Sequence, residues 1–324
     1  MDAIVLAGGY ATRLWPITKD RPKMLLPIGE TTVIGTILDA LEHDGRIDDV
    51  YVSTNQKFAP DFEAYLSESG FEKPQLSVEE TTAEVEKLGV VGALAQLIDR
   101  EGLDDDVVIV GGDNLLSFDI GEFLDAFEAT GEPTLAAYDV GSYERASSYG
   151  LIELDSAGRV VDFQEKPNEP RSTLVSIACY ALPRRALSLF ETYLDDDNNP
   201  DEPGWFIKWL QNRETVRGFT FEGAWFDIGT PESYLDAVAW HLDGESYVAA
   251  SADVSEAAVG ENVQILSGAT LSDVRIEHSV VFPESEIAKC ELRNSIVDQD
   301  TQLAGVDLSG ALIGAHTQIG KEPF

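Results

Sequence analysis

Apolar residues follow two alternating patterns along the first 240 positions. Short β-branched runs predict strands at "DAIVLA", "DDVYVST", "DVVIVGG" and "PTLAAYDV". Between them, "TVIGTILDALEHD", "LGVVGALAQLIDREG" and "DIGEFLDAFEATG" carry apolar residues at helical spacing. A further helix is predicted to begin in "FDIGTPESYLDA", with Thr230 as N-cap and Pro231 at the first helical position. This alternation predicts an α/β domain whose Rossmann-like mixed, mainly parallel sheet is flanked by helices.

After about Gly244 the helical spacing disappears, and aliphatic residues recur every five or six positions. The series is Val254, Val259, Ile265, Leu271, Ile276, Phe282, Ile287, Leu292, Val297, Leu303, Leu308, Ile313 and Ile319. Small residues accompany many of these positions, which is typical of a hexapeptide-repeat, left-handed parallel β-helix. An irregular antiparallel tail is the alternative. We therefore divide the chain into residues 1–243 and residues 244–324.

Acidic residues dominate the composition. There are 59 Asp and Glu against 22 Lys and Arg, a formal net charge of -37, while hydrophobic residues make up 44% of the chain, enough to exclude disorder. The acidic excess indicates adaptation to a salty cytoplasm, such as that of haloarchaea, although an ordinary acidic protein is the alternative. A polyanionic surface argues against nucleic acid or an anionic membrane as a partner.

Several other features exclude classes of site. Cys179 and Cys290 lie far apart without a CxxC spacing, so we expect buried thiols rather than a disulfide or a zinc site. His278 and His316 are expected at surface or turn positions of the repeat rather than as bases of an acyltransferase. No apolar run approaches the ~20 residues that cross a bilayer, and we expect a cytoplasmic protein.

The segment "AGGYATRLWP" follows the first predicted strand. Backbone N–H groups at Gly8 and Gly9 can approach a phosphate closely, although a tight turn is the alternative and neither a Walker nor a Rossmann fingerprint is present. The planar guanidinium of Arg13 can donate two hydrogen bonds to phosphate oxygens, and the ammonium of Lys23 supplies a compact positive charge for them. Residues 8–28 carry a net charge of +3, four bases less one acid, in an otherwise acidic chain.

Candidate carboxylates and a further lysine lie downstream. Asp113 follows the strand-like "VVIVGG", where open α/β sheets place ligands, and its carboxylate suits Mg²⁺. Asp227 in "WFDIGT" is a candidate second ligand. Both residues have helix or turn capping as the alternative. Glu165 and Lys166 in "DFQEKP" either face one pocket or are ordinary edge-strand charges.

The chain resembles the sugar-1-phosphate nucleotidyltransferase family over nearly its whole length. The family pattern LAGGxGTRLxPxTxxxPKxLLPI is matched by "LAGGYATRLWPITKDRPKMLLPI", with Ala11 at the third glycine. "LGVVGAL", "GGDN", "SSYGLIELDSAGRVVDFQEKP" and "WFDIGTPESYLDA" are similar to the four later family motifs, in the family's order. "GGDN" favours the thymidylyl- and uridylyltransferases that use glucose 1-phosphate. Since "RLWP" also occurs among mannose-1-phosphate guanylyltransferases, that branch is the alternative.

The resemblance implies a role for each matching residue. Nucleotide binding is implied for Leu6, Gly8, Gly9, Arg13, Lys23, Gly89 and Asp113, with Arg13 and Lys23 as the catalytic cations. Sugar-phosphate binding is implied for Gly150, Glu165 and Lys166, and Mg²⁺ binding for Asp113 and Asp227. The implied substrates are a nucleoside triphosphate and a sugar 1-phosphate, and a homo-oligomer is expected, assembled through the β-helix.

Departures from the family pattern affect three places. Ala11 restricts the backbone if that position requires a positive φ. Ala178, in "SIACY", replaces a usual glycine, so the identity of the sugar stays open. Residues between Glu79 and Leu88 also differ from the family pattern, so the identity of the nucleotide base stays open. A regulatory or scaffold protein without activity is the alternative from another functional class.

Overall fold

The computed structural model describes residues 1–79 and 89–320. Contacts between Cα atoms divide the chain into two units. The first contains Met1–Gly8 and Ile37–Trp225, and the second contains Gly9–Thr36 and Phe226–Phe324. The predicted division after residue 243 stays a prediction, since this grouping places residues 9–36 and the last helix with the repeat.

Strands and helices alternate at the predicted places before the repeat. The strands are β1 (Asp2–Leu6), β2 (Pro27–Ile28), β3 (Thr31–Thr32), β4 (Val50–Asn55), β5 (Pro74–Glu79), β6 (Val107–Gly111), β7 (Asn114–Leu116), β8 (Thr134–Asp139), β9 (Gly150–Leu154), β10 (Val160–Glu165), β11 (Leu174–Leu182), β12 (Arg217–Thr220) and β13 (Trp225–Asp227). The helices are α1 (Val33–His43), α2 (Ala59–Ser69), α3 (Val90–Glu101), α4 (Ile120–Glu128), α5 (Tyr143–Ala146), α6 (Arg184–Leu187), α7 (Leu189–Asp195), α8 (Pro203–Leu210) and α9 (Pro231–Leu242). Short 3-10 helices cover Thr12–Leu14 and Lys23–Leu25.

The first unit is built on a mixed sheet, as predicted. Its strand order is β10-β9-β11-β6-β1-β4-β5, and β8 pairs with β11 and β12. Strand β1 is parallel to β4 and β6, and β4 is parallel to β5, whereas β11 is antiparallel to its neighbours β6, β8 and β9. Because β4 and β6 lie on opposite sides of β1, the carboxyl ends of β1 and β6 form the topological switch point.

Helices cover this sheet with their apolar sides. Leu94 and Leu97 of α3 are buried in one cluster with Ile4 of β1 and Ile109 of β6. Every residue of β6 is buried, as a central strand covered on both faces requires. The sheet is therefore a rigid base for groups at its strand ends.

The repeat in the second unit coils into three parallel sheet faces. Its strands are β14 (Tyr247–Val248), β15 (Asp253–Val259), β16 (Val263–Ile265), β17 (Thr270–Glu277), β18 (Ser279–Val281), β19 (Glu286–Ala288), β20 (Glu291–Arg293), β21 (Ile296–Val297), β22 (Gln302–Ala304), β23 (Asp307–Ser309), β24 (Leu312–Ile313) and β25 (Gln318–Gly320). Val280 pairs with Gln264 and with Ile296, sixteen positions away in each direction. One turn of the coil therefore takes about sixteen residues here, and the predicted parallel β-helix architecture is confirmed.

Each corner of the coil contains a residue with left-handed backbone. These residues are Asn262, Gly268, Asp273, His278, Glu284, Lys289, Asn294, Asp300, Gly305, Gly310 and His316, all with positive φ. They recur every five or six positions, in step with the apolar series. Asn, Asp and His tolerate this conformation better than most side chains. His278 and His316 are therefore corner residues, as expected from the sequence.

Most of the predicted aliphatic series points into the coil. Residues such as Ile265, Leu271, Leu292 and Leu303 are buried in its core cluster. Two members differ. Ile319, on the last described strand, is 36% exposed because no further coil covers it among the described residues, and buried Phe282 faces an arginine described below.

The start of α9, the two cysteines and the lengths of the helices bear on three smaller predictions. Helix α9 begins as predicted, because Thr230 Oγ1 accepts a hydrogen bond from Ser233 N at 3.2 Å and Ser233 Oγ accepts one from Thr230 N at 3.0 Å. Cys179 and Cys290 are both buried free thiols. Within the described residues, every helix is too short or too polar to span a membrane.

Candidate active site

The start of the glycine pair is held by the neighbouring strand. Asn55, at the end of β4, donates a hydrogen bond from Nδ2 to the Gly8 carbonyl at 2.8 Å, and Thr54 Oγ1 donates to the Ala7 carbonyl at 3.2 Å. Asn55 is only 1% exposed. Its role was not predicted, and the available signal was the polar "STN" at the end of an otherwise apolar strand. On the other side of β1, the Gly112 amide donates to the Leu6 carbonyl at 2.9 Å.

The glycine pair and Ala11 differ in the space and backbone they use. A methyl group at Gly8 would lie 3.2 Å from Glu79 Oε1, whereas one at Gly9 would meet no atom within 4 Å. The open space at Gly9 suits the close approach of a phosphate. Ala11 has a φ of 47° and a ψ of 45°, so the position of the family's third glycine does require left-handed backbone. An L-residue there costs roughly 1–2 kcal/mol.

Asp113 is oriented by the residue that follows it. Asn114 Nδ2 donates to Asp113 Oδ1 at 3.0 Å and to the Gly111 carbonyl at 3.1 Å. Asn114 Oδ1 accepts from Trp225 Nε1 at 2.6 Å, which fixes the orientation of the amide. The Asn of "GGDN" is therefore the support of the carboxylate, a function that its adjacency alone does not predict. Across the sheet, the Ala178 methyl lies 3.0 Å from where a Cβ at Gly111 would stand.

In the second unit, Arg13 and Asp227 converge on one point. A methyl group at Gly229 would lie 3.5 Å from Arg13 Nη2 and 3.9 Å from Asp227 Oδ1. These residues are more than two hundred positions apart in the sequence, and both were predicted to act on the nucleotide or its metal. Lys23 is half-buried at the first residue of the second 3-10 helix. A cation and a carboxylate in one place suit a polyphosphate and its metal ion.

The metal prediction rests on Asp113 and Asp227. No group of three or more His, Cys, Asp or Glu side chains in residues 1–79 and 89–320 is placed to hold a metal ion. A magnesium site does not require such a group, because Mg²⁺ typically uses one or two carboxylates and completes its shell with waters and substrate phosphates. The oxygen donors of these two residues therefore fit Mg²⁺ in type.

Glu165 lies over two glycines of the first unit. A methyl group at Gly150 would stand 3.0 Å from Glu165 Oε2, and one at Gly204, in the first turn of α8, would overlap the same oxygen. Burial, and then the neighbouring Glu202 carboxylate, raise the pKa of Glu165 to about 7, while Lys166 and Lys208 oppose the rise. This carboxyl group is therefore poised to gain or lose a proton near neutral pH.

Lys166 follows the edge strand β10 and is paired with a carboxylate at the start of α8. Its φ is 40°, and its Nζ donates to Glu202 Oε1 at the start of α8. The two side chains are 48% and 39% exposed. Glu165, Lys166 and Glu202 thus lie close together, and the pocket interpretation of "EKP" stays a prediction. Glu202 was not predicted, because its spacing from "EKP" carries no motif.

Gly89 is required by packing. Its φ is 76°, and a Cβ there would lie 2.3 Å from the Pro200 carbonyl oxygen. The Val91 amide donates to the same oxygen at 2.8 Å, so the start of α3 is fixed against residues 200–201. The contact of Gly89 with the base stays a prediction, and the rest of the predicted base-selecting segment, residues 80–88, lies outside the described residues.

Comparison with known proteins identifies the family of the chain. The family model described as "Nucleotidyl transferase" matches residues 2–243. The chain belongs to this family. The match covers the predicted site residues from Leu6 to Asp227, in both units.

Relatives within the nucleotidyl transferase family are distant. The bifunctional protein GlmU of Methanocaldococcus jannaschii is 27% identical over 75% of this chain and 55% of its own length. A candidate mannose-1-phosphate guanyltransferase of Sulfolobus acidocaldarius is 29% identical over 84% of this chain and 74% of its own length. A candidate glucose-1-phosphate thymidylyltransferase from Bacillus anthracis, solved with sucrose, superposes with a TM-score of 0.65 at 25% identity, over 75% of this chain and 96% of that one. This chain spans about half the length of GlmU.

The protonation of Glu165 predicts a pH-dependent stability. Its pKa is about 7 in the folded protein and 4.5 ordinarily, so between these values the folded state binds more protons than the unfolded chain. The free energy of unfolding contributed by this group therefore falls as the pH rises from 4.5 to 7. We expect Glu165→Gln to remove this decline in denaturant unfolding at constant salt. Glu153→Gln, an exposed change on adjacent β9, should keep the wild-type slope, and equal slopes for Glu165→Gln and wild type would contradict the assignment.

Proposed function

We propose that this protein transfers a nucleotidyl group from a nucleoside triphosphate to a hexose 1-phosphate, forming an NDP-sugar and pyrophosphate. A phosphate oxygen of the sugar 1-phosphate attacks the α-phosphorus in line. The bond from the α-phosphorus to the bridging oxygen breaks, and pyrophosphate leaves with the electron pair. Both reactants are anions, so catalysis depends mainly on positioning and on neutralising charge.

Each predicted residue would have a separate part in this reaction. Gly8 and Gly9 would bind the triphosphate through their backbone N–H groups, and Arg13 and Lys23 would neutralise it. Glu165 would accept hydrogen bonds from sugar hydroxyls beside Gly150. Lys166 would bind the phosphate of the sugar, and Gly89 would lie against the base. No covalent intermediate is needed, because each of these groups acts by charge or position.

Asp113 and Asp227 would hold Mg²⁺. The ion would supply positive charge to the phosphate oxygens as negative charge develops. Asn114 supports this assignment for Asp113, because a locked amide keeps the carboxylate in one orientation.

The convergence of Arg13 and Asp227 beside Gly229 carries the proposal. The family pattern places these residues in separate motifs with separate roles. Their proximity within the second unit is what a site for a metal-bound polyphosphate needs. A regulatory homologue without activity has no need to keep these residues together.

Two substrate pairs are supported by different observations. We favour dTTP or UTP with glucose 1-phosphate, because "GGDN" is similar to that branch of the family and the Bacillus anthracis protein is a candidate thymidylyltransferase. GTP with mannose 1-phosphate is the second candidate, because the Sulfolobus relative is a candidate guanyltransferase and matches 84% of this chain. Either product would supply glycan synthesis, in a cytoplasm of high salt.

Pyrophosphate release tests the function and separates these pairs. The assay combines dTTP, UTP, GTP, ATP and CTP with the 1-phosphates of glucose, galactose, mannose and N-acetylglucosamine, with Mg²⁺ and molar KCl. Activity with dTTP or UTP and glucose 1-phosphate supports the favoured pair. Activity solely with GTP and mannose 1-phosphate establishes the second, and nucleotide binding without turnover would support a regulatory homologue.

We also propose a homo-oligomer. Exposed Ile319 on the last described strand of the β-helix and exposed Val248 on the first offer apolar edges for self-association. Sedimentation of the full chain in molar KCl tests this proposal, and a monomer at every concentration would refute it.

Loss of Arg13 should abolish turnover. We expect Arg13→Ala to lower kcat/KM by ~10³-fold or more, by analogy with other arginines that stabilise phosphoryl transfer. Arg13 is exposed and makes little contribution to the core, so thermal unfolding should be unchanged. Arg171→Ala, which removes another exposed arginine, is the control and should keep the wild-type rate. An Arg13→Ala protein that retains a tenth of that rate would rule out this role.

Neutralising Glu202 should strengthen sugar-phosphate binding. Its carboxylate pairs with Lys166 in the substrate-free protein and repels an incoming phosphate. An exposed pair of this kind is worth up to about 1 kcal/mol, so Glu202→Gln should lower the KM for the sugar 1-phosphate up to about fivefold. The KM for the nucleotide should change little. Glu191→Gln, on α7, makes the same charge change elsewhere, and an equal effect from it, or a raised KM in Glu202→Gln, would show that Glu202 does not compete for Lys166.

A further inference from the structure

Residues 9–36 carry both candidate catalytic cations but have little regular structure of their own. They contain two single-turn 3-10 helices, the two-residue strands β2 and β3, and the first four residues of α1. A contact inside the segment, from Thr18 Oγ1 to the Ala11 carbonyl at 2.8 Å, closes its first loop. Further anchors come from α9 and the coil, which belong to the same unit.

Arg21 is the central anchor. Its Nη2 lies 2.9 Å from Asp298 Oδ1 and donates to Gln299 Oε1 at 2.8 Å. Its guanidinium carbon lies 4.7 Å from the centre of the Phe282 ring. Arg21 lies two residues before Lys23, so a charge pair, a hydrogen bond and a cation–π contact fix the chain beside a candidate catalytic cation.

Asp298 depends on this arginine. Its side chain is 3% exposed, while that of Arg21 is 21% exposed. Burial raises the pKa of Asp298, and Arg21 is the main influence that opposes the rise. A buried carboxylate that loses its cationic partner is strongly unfavourable, so the pair holds the segment in one place.

A column of equivalent coil positions faces the segment. Phe282, Asp298 and Gly314 each follow a paired strand residue and are sixteen positions apart. The first two contact Arg21, and a Cβ at Gly314 would lie 2.8 Å from the ring of Pro16. Pro16 and Arg21 lie between Arg13 and Lys23 in the chain, so this column holds the connection between the two cations.

A second anchor follows Lys23. Gln264, fully buried in the coil, accepts from the Gly29 amide at 2.7 Å and donates to the Pro27 carbonyl at 3.1 Å. Tyr234 of α9 donates to the same carbonyl at 2.6 Å. Lys23 therefore lies between two anchors supplied by α9 and the coil.

We propose that Asp298 is a positioning residue for nucleotidyl transfer, acting through Arg21 on the segment that carries Arg13 and Lys23. This inference rests on the proposed function of those two cations. It assigns the β-helix a part in turnover without any substrate contact of its own. A misplacement of about 1 Å can cost on the order of 10²-fold in rate, so a loosened segment should affect kcat.

The test uses the full chain and compares Asp298→Ala, Asp298→Asn, Arg21→Gln, Arg21→Lys and the double variant Arg21→Gln/Asp298→Ala. Two quantities are measured well below each thermal midpoint: kinetic constants for both substrates, and hydrogen–deuterium exchange of residues 9–29 without nucleotide. Glu291→Gln is the control, because it neutralises a carboxylate of the same coil that pairs with the exposed Arg293.

We expect Asp298→Ala to lower kcat roughly 10- to 100-fold and to speed exchange in residues 9–29. The KM for the sugar 1-phosphate should stay within about twofold, because Glu165 and Lys166 belong to the other unit. Asp298→Asn and Arg21→Lys should each restore part of the rate, since they keep one hydrogen bond of the pair. The double variant should lose no more than the worse single variant, because both changes break one contact. Glu291→Gln should match wild type.

Unchanged exchange of residues 9–29 in Asp298→Ala would overturn the inference, whatever the turnover. So would wild-type kcat in that variant, or losses that simply add in the double variant. These failures differ from failure of the proposed function. If wild type is inactive with every substrate pair while Asp298→Ala speeds exchange, the anchoring stands and the proposed chemistry falls.

Discussion

The parallel pairing of β1 with β4 and β6 is the constraint on which the candidate site depends. It brings the carboxyl ends of three strands to one edge of the sheet. There the Asn55 side chain donates a hydrogen bond to the Gly8 carbonyl, and the Gly112 amide donates one to the Leu6 carbonyl. Asp113 then follows directly from this edge. A buried central sheet cannot shift one strand without disturbing its neighbours, and this rigidity is what a site for positioned anions requires.

Charge has two separate uses in the basic stretch of residues 8–28. From the sequence alone, its net charge of +3 predicts a single feature, a nucleotide site. The structure assigns Arg21 to the coil, where it neutralises Asp298, and leaves Arg13 beside Asp227. At ~1 M salt the Debye length is ~3 Å, so an acidic protein gains little from a distant positive field. Short contacts then matter most, and Arg21 contributes by fixing the loop that carries Lys23.

The sequence pattern predicts the positions of strands, helices and the coil, because these depend on which residues are buried. The strands β1, β4 and β6 follow from their apolar runs, and the start of α9 follows from its capping residues. The coil from Ile265 to Leu303 follows from spacing, because a buried face repeats with the geometry of its element. The pattern could not predict pairs such as Lys166 with Glu202, or Gln264 with Pro27. Those depend on which surfaces meet, and a charged or polar residue looks the same in sequence whether solvent or a partner faces it. Ile319 shows the converse, since it keeps the period but has no described coil above it.

The column at positions 282, 298 and 314 shows how a repeat acquires an individual function. All three positions follow paired strand residues, and the amides of Phe282 and Asp298 donate equivalent hydrogen bonds to the carbonyls of Val297 and Ile313. A repeat built only to stack would accept one residue type at all three. Instead the positions hold an aromatic ring, a carboxylate and no side chain, each matched to the part of residues 9–36 that it meets. The departures from the repeat, rather than the repeat itself, therefore locate the surface through which the β-helix acts on the loop.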